Sequence, residues 1–312
     1  TLSNPTQYWG ACNSLFNPSR CMKETDLLDK TEVSKALSQA RGAANFVEFG
    51  GGNPPADPAV RRIPGQLERG IHNYVHYKIG GDMMVFGTSA FDPVFWAHHA
   101  ALDRFWQLWV DSLRSDPHPV DPLWRNQPFK FYDTNGQCVE ISVDQIVKLN
   151  HYVYADEVVA LVKSQPGEKL AVLSAPLVIG KENITQPASN RPSETRAENK
   201  SRTLLIVEGV ELPTEGGAQI RVFLNLPVAS ENTALEIPNY AGTFTLLPRG
   251  SHATHTGPAP LVDIMLDITD NVAKLLKPIS DLSVTLVPVK GREGQSGQSK
   301  ITFTGISLQV RN

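Results

Sequence analysis

Apolar residues in this 312-residue chain keep one spacing up to about residue 150 and a different one after 203. In the first part, two segments repeat at intervals of three and four, as a helix with one buried face does. One covers about residues 65–79. The other is DPVFWAHHAALDRFWQLWVDSLRS, with Asp92 placed to cap it and Pro93 at the first helical position. Its apolar and aromatic face is almost unbroken, which predicts deep burial. A further helix is predicted around DKTEVSKALSQAR, whereas FGGGNPPADPAV is loop by composition. The prolines of RSDPHPVDPLW end the long helix, and a short strand-like stretch and VDQIVKLNHYVYADE follow.

From 203 the apolar positions alternate. TLLIVEGVEL, AQIRVFLNLPV, GTFTLLPRG, VDIMLDIT, DLSVTLVPV and KITFTGISLQV are β-branched runs separated by turn residues, and one short helical stretch, DNVAKLLK, interrupts them. Strands at this spacing predict an antiparallel sandwich or barrel. Between the two regimes, residues 180–202 are rich in Asn, Ser, Pro, Glu and Lys and lack apolar periodicity. The expected division is a helical part over 1–179, an exposed linker open to proteolysis over 180–202, and a β-domain over 203–312. The fold class is α+β.

Composition narrows the partners more than the fold. A net charge of −3 gives no reason to expect nucleic acid, and no apolar run approaches the roughly 18 residues of a spanning helix. Cys12 and Cys21 lie nine apart and Cys138 stands alone. The spacing leaves a Cys12–Cys21 disulfide and two free thiols both open. Asn183 and Asn199 begin glycosylation sequons that matter only in a secreted chain. The opening TLSNPTQYWG has neither an initiator methionine nor a signal pattern, and reads as a start within a larger whole. Secreted, plastid and cytoplasmic homes all stay open.

The chemistry lies in GIHNYVHYKIGGDMM. His72 and His76 are four apart, so on a helix both imidazoles project from one face toward a common ion. A zinc protease would carry Glu after the first histidine, where this chain has Asn73. His98 and His99 add two more rings inside the aromatic helix, where unsatisfied ring nitrogens are costly. A donor set of neutral imidazoles suits copper or zinc.

The stretch GQLERGIHNYVHYKIGGDMM…TSAFDPVFWAHHAALDRFWQLW resembles the second copper-binding region, CuB, of the type-3 copper family that holds tyrosinases, polyphenol oxidases and molluscan haemocyanins. The resemblance implies His72, His76 and His99 as copper ligands, with His98 behind them, and Asp103 and Arg104 fixing the helices. It also implies that Glu68 and Asn73 hold a water that deprotonates monophenols, and that Phe86 is an aromatic gate. Each has a plainer reading, Glu68 as a solvated helix residue and Phe86 as a core anchor. HYVYAD matches the Tyr-x-Tyr element, Tyr152 and Tyr154, of plant-like polyphenol oxidases, and the strands after 203 resemble their C-terminal β-domain.

A type-3 centre, as the resemblance implies, needs two coppers with three histidines each. The chain has eight histidines, and His118, His151, His252 and His255 show no helical pairing of the CuA kind. The expected function is copper-dependent oxidation of o-diphenols, with monophenols as further substrates, by dioxygen. A CuA-bearing N-terminal polypeptide would complete the site, and the β-domain would shield it until the linker is cut. A haemocyanin-like oxygen carrier and a non-catalytic, copper-poor scaffold are the alternatives.

Overall fold

The structure, a computed structural model, describes residues 17, 20, 28–52, 61–113, 117–148, 201–213, 216–248, 261–275, 281–289 and 301–311, and the backbone of 177–178 and 184–185. The Tyr-x-Tyr element, nearly all of the 180–202 segment, Cys12, Cys21, His151, His252 and His255 lie outside the described residues. Two compact units emerge, one combining Thr1–Asp103 with Leu170–Asn312 and the other Arg104–Lys169.

Helix α1, Lys30–Arg41, starts where the Asp29 carboxylate accepts from the backbone N–H groups of Thr31 and Glu32 at 2.9 and 3.0 Å. Asn45 caps the short α2, Phe46–Gly50, in the same way. Glu68–His72 form a π-helical turn in which Gly70 leaves helical geometry at φ −86°, ψ −114°. Helix α3, Asn73–Ile79, follows without a gap and ends at Gly80, whose φ of 68° suits glycine. Helix α4, Pro93–Asp111, begins at the predicted cap. The Asp92 carboxylate accepts from Val94 N–H at 2.9 Å and from Arg20 at 2.7 and 2.6 Å, buried on both sides of the ion pair.

Deep burial of α4 is not what the structure shows. Within it only His98, Phe105 and Trp109 are buried, while Trp96 is 64% exposed. Phe91 and Phe86, just before it, are also exposed. An apolar helix face is buried only where another element packs on it, so Phe105 and Trp109 are covered while Trp96 stays open to solvent.

The Arg104–Lys169 unit holds the short helix α5, Pro122–Arg125, then β1, Pro128–Tyr132, paired antiparallel with β2, Cys138–Ser142. Ser142 and Gln145 form a capping box at the start of α6, Val143–Val147.

The strands after 203 fall where alternation predicts them: β5, Arg202–Glu211; β6, Ala218–Leu224; β7, Tyr240–Leu246; β8, Leu261–Asp267; β9, Val284–Val289; and β10, Gly305–Arg311. Helix α7, Thr269–Leu275, is the predicted interruption. Two-residue strands β3, Leu177–Val178, and β4, Ile184–Thr185, complete two four-stranded sheets, ordered β4-β10-β5-β8 and β3-β9-β6-β7. Every pairing is antiparallel except β4 with β10. Leu205, Val207, Ile220, Phe244, Leu286 and Ile306 from the two sheets bury one another in a single apolar core.

Strands β6 and β7 are buried at every position, because the helices cover the face that alternation would give to water. That contact is polar. Buried Glu32 accepts from Gln219 Nε2 at 3.0 Å, Arg221 Nε at 2.8 Å and Thr243 Oγ1 at 3.1 Å. Gln39 Nε2 donates to the carbonyls of Ala241 and Asp267, and Gln66 Nε2 to that of Met265. Arg202 and Arg311 both reach the buried Glu48, at 2.8 and 2.5 Å. Burial would raise the Glu32 carboxyl, but the adjacent Arg221 and the charge of Lys78 outweigh it and hold it below the ordinary carboxylate value.

Candidate metal centre

The kinked turn and α3 bring His72 and His76 to a ring-centroid distance of 4.6 Å. His98 and His99, in the second turn of α4, close the group. His98 stands 5.6 and 5.3 Å from the rings of His72 and His76, and His99 stands 5.3 and 5.7 Å from them. The three residues whose donor atoms all lie within 4.8 Å of one another are His72, His76 and His98. Phe95, one turn before His99, packs on the His99 ring at 4.1 Å.

The donor chemistry follows from what surrounds each ring. His76 Nδ1 lies 2.5 Å from the Met83 carbonyl, which only accepts, so Nδ1 carries the proton and Nε2 keeps its lone pair. His72 Nδ1 lies 2.8 Å from Asn73 Oδ1. The Nε2 atoms of His76, His98 and His99 are buried with no hydrogen-bond partner. One such orphan costs about 1–3 kcal/mol, and three in one cluster of rings point to a ligand that accepts electron pairs.

Charge points the same way. Burial first, then the neighbouring histidines, pushes His72 down to about 4 and His98 to about 3. Burial lowers His76 and His99 as well. All four rings are therefore neutral near pH 7, the form that ligates metal. With no thiolate or carboxylate in the group, copper fits the donor set.

The remaining expected residues are placed as follows. Glu68 is bound by Arg62 through both carboxylate oxygens, at 3.1 and 2.5 Å. Buried Asn73 donates to the Thr245 carbonyl at 2.9 Å while its oxygen faces His72. Phe86 is 86% exposed, so it is not a core anchor. Asp103 lies exposed on α4. His118 belongs to the Arg104–Lys169 unit, near the rings of Trp106 and Trp124. Met83, Phe95, Arg62 and Thr245 were not anticipated. Of these only Phe95 left a signal, its four-residue spacing to His99. Among the described residues no helix is long and apolar enough to cross a membrane.

A cluster of neutral histidines on two helices, backed by a two-sheet domain, has the donor set of an imidazole-ligated metal protein. The family described as the common central domain of tyrosinase matches residues 6–112, and the chloroplastic polyphenol oxidase C-terminal domain matches residues 175–310. The chain thus belongs to the tyrosinase and polyphenol oxidase family of type-3 copper proteins. It is 38% identical over 140 residues to tyrosinase HcTyr1 of Hahella sp. (strain CCB-MM4), covering 44% of this chain and 27% of that protein. It is 29% identical over 237 residues to the chloroplastic polyphenol oxidase B of Solanum lycopersicum, covering 70% and 39%. A solved latent aurone synthase (polyphenol oxidase) superposes with a TM-score of 0.70 at 21% identity, covering 96% of this chain and 66% of that one. A latent apple tyrosinase gives 0.62 at 22% identity, covering 93% and 67%. These two structures show the shared fold. The chain spans about half or less of the length of the curated relatives it matches.

Proposed function

We propose that this chain carries one copper site of an enzyme that oxidises o-diphenols to o-quinones with dioxygen. The observation that carries the reading is the group of three buried, unpartnered Nε2 atoms beside His72. His72, His76 and His99 hold the copper on this reading, with the packed Phe95 orienting the His99 ring. The tighter grouping of His72, His76 and His98 favours a second assignment, in which His98 is the third ligand.

Copper supplies the electron transfer, so that two diphenols give up four electrons and four protons to one dioxygen, yielding two quinones and two waters. The chain's own residues hold and orient the site. The Met83 carbonyl keeps the proton of His76 on Nδ1, and Asn73 faces the corresponding nitrogen of His72. Exposed Phe86 would serve as the aromatic gate for an incoming phenol ring. A water held by Glu68 and Asn73 would extend the activity to monophenols. In the described arrangement both groups are committed, to Arg62 and Thr245, so diphenol oxidation is the reading put forward. The second copper would be held by histidines from outside this sequence, and the β-domain would shield the entrance until residues 180–202 are cut.

Copper content tests the assignment. The full chain should bind one copper, and His72→Asn or His76→Asn should abolish binding. His99→Asn should lose the metal and His98→Asn keep it. The reverse pattern selects His98 as the third ligand. Copper retained in His76→Asn would refute the site.

A further inference from the structure

We propose that strand β7 sets the tautomer and position of the His72 ring, with Asn73 as the positioning residue between them. The inference rests on the copper reading only for its purpose, since the contacts themselves need no metal.

The assignment follows from donors and acceptors alone. The Thr245 carbonyl can only accept, so Asn73 must turn its NH2 toward it, at 2.9 Å. That fixes the amide and puts Oδ1, an acceptor, 2.8 Å from His72 Nδ1. Only one tautomer answers an acceptor there, the one with the proton on Nδ1. Nε2 is then left as a bare lone pair. Turning the amide over would set oxygen against oxygen at Thr245. Asn73 and Thr245 are both buried, so water does not compete for the bond between them.

His76 obeys the same rule through a local partner, the Met83 carbonyl seven residues on. His72 takes its instruction through Asn73, whose partner on β7 lies 172 residues further along the chain. The two rings are thus set independently, one by the loop after α3 and one by the β-domain. On this account the β-domain is part of the machinery that presents the ligand as well as any cover over it.

The experiment is nitrogen NMR of the full chain labelled with 15N-histidine and free of metal, paired with copper competition titrations. The wild type should show His72 protonated at Nδ1 only. Asn73→Ala should show both tautomers and bind copper about 10–100-fold more weakly. Asn73→Asp still accepts from Nδ1–H but cannot donate to Thr245. It should keep the single tautomer and yet bind copper more weakly than wild type, because the ring is no longer tied to β7. Three results would each overturn the proposal: a wild-type His72 protonated at Nε2, an Asn73→Ala chain with one Nδ1–H tautomer and copper affinity within about twofold of wild type, or full affinity in Asn73→Asp. The wild-type spectrum decides even where a variant misfolds. If the wild type shows the tautomer but takes up no copper, the copper reading falls and the β7 relay stands.

Discussion

Two buried polar clusters occupy the same compact unit, and they are built on opposite rules. Around Glu32, the charge is met by Arg221, Gln219 and Thr243, so the carboxylate is closed off even though Gln219 Oε1 is left buried without a hydrogen-bond partner. Around His72, three ring nitrogens are left without partners, and the cluster is open. Burial of a polar group is tolerable in two ways, by completing its hydrogen bonds or by reserving them for a ligand. The first kind of cluster holds the β-domain to the helices, and the second gives the joined body something to do.

The contrast can be broken first from the closed side. Glu32→Ala should leave Arg221 as a buried, unpaired charge and cost about 3–5 kcal/mol in urea unfolding of the full chain. A cost comparable to a surface ion pair would show the cluster is not closed. On the open side, His76→Gln should weaken copper binding by more than about 100-fold, beyond the usual range for residues that merely orient a ligand. The melting temperature of the metal-free chain should fall by about 2–4 °C, because the substitution also removes the Nδ1–H that donates to the Met83 carbonyl.

Acid should also separate the clusters. The folded-state values of His72 and His98 lie near 4 and 3, below the ordinary 6.5. The unfolded chain therefore binds more protons between about 6.5 and 3, and stability of the metal-free chain should fall as pH drops through that window. Above 6.5 these histidines should contribute no slope. Replacing both by asparagine should flatten the slope between 6.5 and 4, where carboxylates contribute less. An unchanged slope would mean the rings are not held neutral by the fold. The smallest effect is expected at Thr245, whose buried hydroxyl has no partner. Thr245→Val keeps the carbonyl that Asn73 uses and should be neutral or stabilising by up to about 1 kcal/mol in the same urea assay.

Much of this was readable in the chain. The Asp92 cap, the four strands from β6 to β9 and α7 fall where spacing and turn residues put them, because those signals are local. The four histidines were legible as a group for the same reason, since each pair lies within one helical turn. What stayed hidden is set by contacts distant in sequence. Continuous burial of β6 and β7, the clamp of Arg202 and Arg311 on Glu48, and the bond from Asn73 to β7 leave no periodic trace. The exposure of α4 ran against expectation because apolar periodicity says which face wants cover and not whether this chain supplies it. The break at Gly70 was invisible because the apolar spacing carries on through it.

The Asn73–Thr245 bond also has a consequence in time. Its partners are 172 residues apart, and at synthesis rates of about 5–20 residues per second the second emerges roughly 9–34 seconds after the first. Through that interval a nascent chain holds His72 with its ring unset. If β7 sets the ring as proposed, metal uptake in the finished geometry waits until β7 has been made and docked, and the order of synthesis delays the copper step until the strands have folded.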